Sequence, residues 1–261
     1  MAESKYPIVL ARGIILKDSI FFRVYGKIEK LLRAAGYDVY ISRTDSCGTM
    51  KTNAMQLKEQ IKGILEKHNV DKVNIIGHSR GGLDAKYMIE ELDMADHVAS
   101  LTTIAVPHHG SIMATRLYEL PKGVVNFFAF FINLWYKIFR DKYPDYKEMI
   151  KELIIPVERE DDLSKYESIY CQSYSVEYKN YFDDVFIGFI YKIVQAVEKT
   201  PSDGFVSVES SKWLGYKGFC VDESLSHTQV VGLDFMAGKR KRKKIYDFYL
   251  NLCKDLVERG F

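Results

Sequence analysis

The segment Gly77-His78-Ser79-Arg80-Gly81-Gly82 constrains this chain more than any other. The run before it, Val73-Asn74-Ile75-Ile76, is apolar and β-branched and reads as a strand. The run after it, from Leu83 to Leu92, reads as a helix. A strand that becomes a helix within so few residues strains the backbone at the serine and needs small neighbours, which Gly77 and Gly81 supply. Such a turn lifts the hydroxyl to the edge of a sheet and sets it at a helix N-terminus, where the dipole favours a developing negative charge. Ser79 is therefore the candidate nucleophile.

The flanking pattern fits that turn. Pro7-Ile8-Val9-Leu10-Ala11 is a short continuous apolar run closed by Gly13, the signature of a buried strand. Ile20, Val24, Ile28, Leu31, Leu32 and Ala35 fall at helical spacing, and Gly36 ends that helix. Strand-like residues follow at 37–41, an amphipathic helix carries Ala54, Leu57, Ile61, Ile64 and Leu65, and residues 98–106 read as another strand. Alternating strands and helices imply an α/β fold with a mainly parallel sheet covered on both faces. The reactive crevice of such a sheet lies outside the carboxyl ends of its strands.

The alternation stops after Pro107. Residues 111–165 read as a helical cap or lid inserted between two parts of one core, 1–110 and 166–261. Within the insertion, residues 124–139 are nearly all apolar, but Asn126, Asn133 and Lys137 interrupt them and the run is too short to span a bilayer. This segment is either a buried cap helix or a lid whose apolar face meets lipid. Phe127, Phe128, Phe131 and Trp135 are its candidate substrate contacts. A strand is expected at 168–173. Val185, Phe189, Ile193 and Val197 mark a helix near 182–198, assignable to core or cap. A final helix carries Ile245, Phe248, Tyr249, Leu252 and Leu256. The cationic run from Lys239 to Lys244 precedes it and reads as a solvated face, with contact to an anionic surface as the alternative.

A serine hydroxyl needs a base. In strand-turn-helix sites of this kind the chain order is serine, acid, histidine. The only histidine after residue 109 is His227, in a polar loop. Between the two, Asp203 stands out in the turn Pro201-Ser202-Asp203-Gly204, with Asp222 as its main rival. Asp183 and Asp184 read as first-turn helix charges. An oxyanion needs two backbone N–H donors. Arg80 supplies one; Ile14, or alternatively Gly13, supplies the other. The Arg80 side chain reads as solvent-facing, or else as a cation for an anionic substrate group.

Composition removes other classes. Apolar residues make up 47% of the 261, enough for a large core, and charged residues 28%. A net charge of +2 gives no reason to expect nucleic acid as a partner. The four cysteines form no CxxC pair and read as free thiols, so neither a zinc nor a redox site is expected, and no cofactor. The first residues show no basic stretch, long apolar stretch and cleavage site in succession. That suits a cytoplasmic chain or a secreted one already trimmed.

Taken together these motifs resemble the bacterial triacylglycerol lipases of the Pseudomonas and Burkholderia type, members of the α/β-hydrolase superfamily. The resemblance rests on Tyr6-Pro7-Ile8-Val9-Leu10, on the elbow from Lys72 to Leu83, on the strand and turn from Leu101 to Ser111, and on Ser202-Asp203-Gly204-Phe205-Val206-Ser207-Val208. It implies an α/β-hydrolase fold, ester hydrolysis and Asp203 as the acid. Arg12-Gly13 stands where that family has His-Gly, so the side-chain hydrogen bonds of the oxyanion loop must differ. Gln229 stands where it has an aspartate that helps bind calcium, so no calcium site is expected. The expected substrate is a lipid or small-molecule ester with an apolar acyl chain. A short-chain carboxylesterase or thioesterase is the alternative, and a non-catalytic binding protein a third reading.

Overall fold

The computed structural model describes residues 4–14, 23–138, 141–154, 160–179, 184, 191–192, 200–233 and 237–261. Its six strands are β1 (Ile8–Ala11), β2 (Val39–Ile41), β3 (Val73–His78), β4 (Val98–Ile104), β5 (Tyr170–Ser175) and β6 (Tyr216–Phe219). They form one sheet in the order β2-β1-β3-β4-β5-β6, and every neighbouring pair is parallel. Parallel neighbours need crossovers, here carried by α1 (Gly26–Ala34), α2 (Met50–His68) and α3 (Arg80–Glu91).

The period-two alternation of β1 explains its unbroken apolar sequence. Ile8 and Leu10 face a cluster containing Ile28 and Leu32 of α1. Val9 and Ala11 face the opposite cluster, with Leu57 and Ile61 of α2 and Met88 and Ile89 of α3. Both faces are covered, so neither can carry polar residues. The short helix α7 (Val208–Ser211) follows the segment bearing Asp203, and the last helix, α8 (Lys239–Glu258), buries Ile245, Tyr249 and Leu252 in the first cluster.

Between β4 and β5 lie α4 (Ile112–Tyr118), α5 (Lys122–Ile138) and α6 (Tyr146–Lys151). They join the core through a third cluster in which Ala114, Met149 and Ile150 meet Cys47, Leu83 and Val106. Polar ties hold them too. Asp141 accepts from Cys47 N at 2.9 Å, and Asp45 accepts from Lys142 N at 2.9 Å and Tyr143 N at 2.8 Å.

Three expectations are corrected. The first helix begins at Gly26, after a left-handed Tyr25 (φ 61°), and Ile20 lies outside the described residues. The cationic run does not precede the last helix but forms its first turns, where Arg240 and Lys244 pair with Glu223 and Lys243 with Asp247. The buried-helix reading of 124–139 fails: of α5 only Ala129 is buried, while Phe127, Phe128, Phe131 and Trp135 are all at least half exposed. Strand β6 was not anticipated. Of the helix expected near 182–198 only residues 184 and 191–192 are described, the latter two helical; Val185, Phe189, Ile193 and Val197, like Phe139 at the end of the aromatic run, lie outside the described residues. Cys47, Cys171, Cys220 and Cys253 are free thiols. Among the described residues, no helix is long and apolar enough to cross a membrane.

Candidate active site

Ser79 joins β3 to α3 with φ 53° and ψ −136°, a conformation costly for any residue with a side chain. Two hydrogen bonds hold it there: Ser79 N donates to Ile104 O at 3.1 Å, and Gly82 N donates to Ser79 O at 3.1 Å. The turn closes because Gly77 has no side chain; a Cβ there would stand 2.6 Å from Gly82 Cα. Gly13 is equally constrained. A Cβ on it would lie 2.7 Å from Ser79 Cβ and 3.1 Å from Arg80 N. The loop after β1 and the first N–H of α3 therefore meet beside Ser79, as an oxyanion site built from Ile14 or Gly13 and Arg80 requires. Ile14 is half-buried and packs on the third cluster.

Asp203 is fully buried, and both its carboxylate oxygens are engaged. Oδ1 accepts from Phe205 N at 2.9 Å and Val206 N at 2.8 Å; Oδ2 lies 2.6 Å from His227 Nδ1. A backbone bond from His227 N to Asp203 O, at 3.0 Å, ties the two loops together. The His227 ring packs against His78, the residue before Ser79, with centroids 4.4 Å apart, and against Phe205 at 5.3 Å. His78 is wholly enclosed. Burial, and then the proximity of His227, hold its imidazole well below the usual histidine pKa, so it is an uncharged packing surface. Asp222 is exposed, and the carboxylate that meets His227 is Asp203.

Sequence reasoning missed Asp184. It is buried, and the first turn of the helix that it was expected to charge lies, with Asp183, outside the described residues. Asp184 Oδ2 accepts from Ser226 Oγ at 2.7 Å and Thr228 Oγ1 at 3.1 Å, the two neighbours of His227. Gln229 closes the same loop: its Oε1 accepts from Ser226 N at 3.2 Å. Among the described residues, no group of three His, Cys, Asp or Glu side chains is placed to hold a metal ion.

Arg80 also differs from its expected place. Its side chain is 1% exposed, not solvent-facing. Nη2 donates to Glu152 Oε2 at 2.9 Å, and Nε stands 3.7 Å from Asp84 Oδ1. Glu152 follows α6 and also accepts from Met50 N. Burial pushes the Asp84 carboxyl up to about 7, against the lowering effects of Arg80 and of the Asn53 amide. Burial raises Glu152 as well, again opposed by Arg80. The guanidinium is hydrogen-bonded to Glu152 and ion-paired with Asp84.

On α5, Ala129, Ile132, Asn133 and Tyr136 form the inward stripe at helical spacing, with Ile132 and Tyr136 packed on the third cluster. Phe127, Phe128, Phe131 and Trp135 lie on the outer face.

Residues 7–184 match the model of the palmitoyl protein thioesterase family. Triacylglycerol lipase 2 of Saccharomyces cerevisiae is 28% identical over 253 residues, covering 90% of this chain and 73% of that protein. The triacylglycerol lipase of Burkholderia plantarii is 33% identical over 127 residues, covering 46% of this chain but only 35% of its own length. Among solved structures, Staphylococcus hyicus lipase superposes with a TM-score of 0.71 at 16% identity, covering 98% of this chain and 96% of that one. A metagenomic carboxyl esterase gives 0.72 at 15%, with coverage of 97% and 76%. These likenesses, with the parallel six-stranded sheet, establish the α/β-hydrolase fold. The match extends from the first core strand past the elbow and the whole insertion, and the chain belongs to the palmitoyl protein thioesterase family.

Proposed function

We propose that the protein is a lipase-like serine hydrolase that cleaves carboxylic esters of apolar acyl chains through an acyl-enzyme on Ser79. Ser79 Oγ attacks the ester carbonyl while His227 takes its proton. The same histidine returns that proton to the departing alcohol, and water then releases the acid by the reverse sequence. Asp203 keeps the imidazole proton on Nδ1 and stabilises the imidazolium. The N–H groups of Arg80 and Ile14, or alternatively Gly13, hold the oxyanion, at about 3–4 kcal/mol per donor.

The observation that carries this reading is the buried Asp203–His227 pair at 2.6 Å, packed on the residue next to a strained Ser79. An apolar acyl chain is supported by Ile14, Leu83 and Val106, which border the elbow within the third cluster. Residues 111–165 act as the cap. The outer aromatics of α5, Phe127, Phe128, Phe131 and Trp135, take lipid: exposed aromatic side chains this dense on one helix are costly in water and suit contact with an ester–water interface. The family match favours thioesters as a second substrate class for the same machinery.

The test is labelling and turnover. Wild type should react with a fluorophosphonate and hydrolyse p-nitrophenyl esters; Ser79→Ala should do neither. Labelling that persists in Ser79→Ala would overturn the assignment. Parallel rates on ester and thioester substrates of matched chain length separate the two classes.

A further inference from the structure

The proposed mechanism leaves unused a cavity of about 650 Å³ at the carboxyl ends of β1 and β2. Its walls are strongly cationic. Arg12, Arg23, Lys30, Arg33, Arg43 and Lys142 line it, against only Glu29 and Asp45. Both acids are already engaged, and Glu29 in turn pairs two of the cations, Arg23 and Arg33, so the excess charge rests on Arg12, Lys30, Arg43 and Lys142. Glu29 is shared by Arg23 at 2.9 Å and Arg33 at 3.0 Å. Asp45 accepts from two backbone N–H groups and from Gln56 Nε2 at 3.0 Å. The cavity thus concentrates more positive charge than the whole chain carries in net, +2. Such a concavity focuses its field on an anion.

One lining residue, Arg12, brings the cavity close to the candidate active site in sequence and in the sheet. Arg12 precedes Gly13, which touches Ser79, so the Arg12 Cα is within about 8 Å of the Ser79 Cβ. In the sheet, β3 with Ser79 is next to β1 and one strand further from β2. Crevices at the carboxyl ends of parallel strands are where such folds take their ligands. The inner wall is built rather than incidental. Arg12 is 8% exposed, with Nη2 donating to Thr44 O at 3.1 Å, and the hydroxyls of Ser42 and Thr44 are buried beside it. Lys30, Arg43 and Lys142 stand exposed on the outer rim.

We infer that this cavity is an anion subsite that holds a phosphate group on the alcohol half of the substrate, so that the preferred ester is one whose leaving alcohol is phosphorylated. The inference rests on the reading of Ser79 as acyl acceptor. Arginine forks and lysine ammonium groups match phosphate oxygens. The acyl chain lies along the apolar third cluster, while the phosphorylated alcohol lies across the end of β1. The reaction is unchanged: the ester C–O bond breaks, Ser79 takes the acyl group, and the phosphorylated alcohol leaves with the proton from His227.

The test compares dihexanoyl phosphatidic acid with dihexanoyl glycerol, both below micelle formation so that surface charge plays no part. Wild type should favour the phosphorylated ester by roughly tenfold or more in kcat/KM, the value of one good charge-assisted contact. The double variant Lys30→Ala/Arg43→Ala should lose most of that ratio, mainly through KM, and Arg43→Lys should retain it in part. Equal rates on the two esters in wild type would overturn the proposal. Inorganic phosphate should compete with the phosphorylated ester in wild type. If it raises the melting temperature without competing, the cavity is a free-anion site and the substrate assignment fails. Should neither ester turn over and fluorophosphonate fail to label Ser79, the hydrolase reading fails by itself. The cavity is then judged by whether dihexanoyl phosphatidic acid raises the melting temperature of wild type but not of the double variant.

Discussion

Asp203 spends one carboxylate oxygen on two backbone N–H groups and the other on His227, so its position is fixed before any substrate arrives. Replacing it by asparagine preserves the shape but presents an amide to Nδ1 and favours the wrong tautomer. The turnover number of Asp203→Asn should fall by about 10⁴, with the melting temperature little changed. A loss of only a few-fold would mean that another carboxylate orients the base. Gly13 sets a second single-residue constraint. An added methyl group would stand 2.7 Å from Ser79 Cβ, and two stretches of backbone would have to separate. Gly13→Ala should lower kcat/KM by about 10², the usual effect of a displacement near 1 Å at a reacting centre. The rate of fluorophosphonate labelling measures it. Both residues were visible in the sequence because turns demand particular residue types locally. Arg80 was misread, because its burial depends on Glu152, a partner 72 positions away whose approach no local pattern records.

At the scale of elements, legibility followed the strength of the local pattern. Strand β1 is buried on both faces and reads as an unbroken apolar run, while β3 and β4 are equally buried but carry Asn74, Ser100, Thr102 and Thr103 among their apolar residues. Strand β6, Tyr216-Lys217-Gly218-Phe219, is an edge strand with mostly exposed side chains, and its pairing with β5 is set by tertiary context alone. The histidine loop shows the same limit. Its sequence marks His227, but the carboxylate that ties down Ser226 and Thr228 on either side comes from Asp184, more than 40 positions earlier. Removing that anchor frees Ser226 and Thr228 on either side of the base. Asp184→Ala should reduce kcat by roughly 10–100-fold, in line with the loss of outer hydrogen bonds that orient a histidine. Asp184→Asn, which keeps an acceptor oxygen, should recover part of it. If the alanine and asparagine variants match wild type in kcat, the loop is held by other means. Helix α5 was recognised by composition, yet its two faces emerged only once Ala129, Ile132, Asn133 and Tyr136 were seen to share the inner side. Phe127→Ser/Phe131→Ser alters only exposed positions, so its melting temperature should stay close to that of wild type. Its rate on emulsified long-chain esters should fall relative to its rate on soluble short-chain esters. An unchanged ratio would remove α5 from lipid contact.

Across the whole molecule, a largely buried ionic group around Arg80 joins α3 to the segment between β4 and β5. Arg80 follows Ser79, Glu152 caps the end of α6, and Asp84 lies one helical turn along α3. This cluster makes stability depend on pH in a defined direction. The Asp84 carboxyl is raised to about 7 when folded, chiefly by burial. In the unfolded chain it ionises near the ordinary aspartate value, about 4. Between those values the folded state holds a proton that the unfolded state has released. The stabilisation is therefore complete below the unfolded pKa and is lost as pH rises through the folded one. Asp84→Asn cannot ionise and escapes that loss, while its side chain can still accept from Asn53. The unfolding free energy of the variant, relative to wild type, should rise by on the order of 2 kcal/mol between about pH 5 and pH 7 and level off above. Urea denaturation of both proteins across that range measures the difference. A difference that stays flat with pH would show that Asp84 is ionised throughout. The ion cluster would then tie the segment between β4 and β5 to α3 without making stability pH-dependent through Asp84.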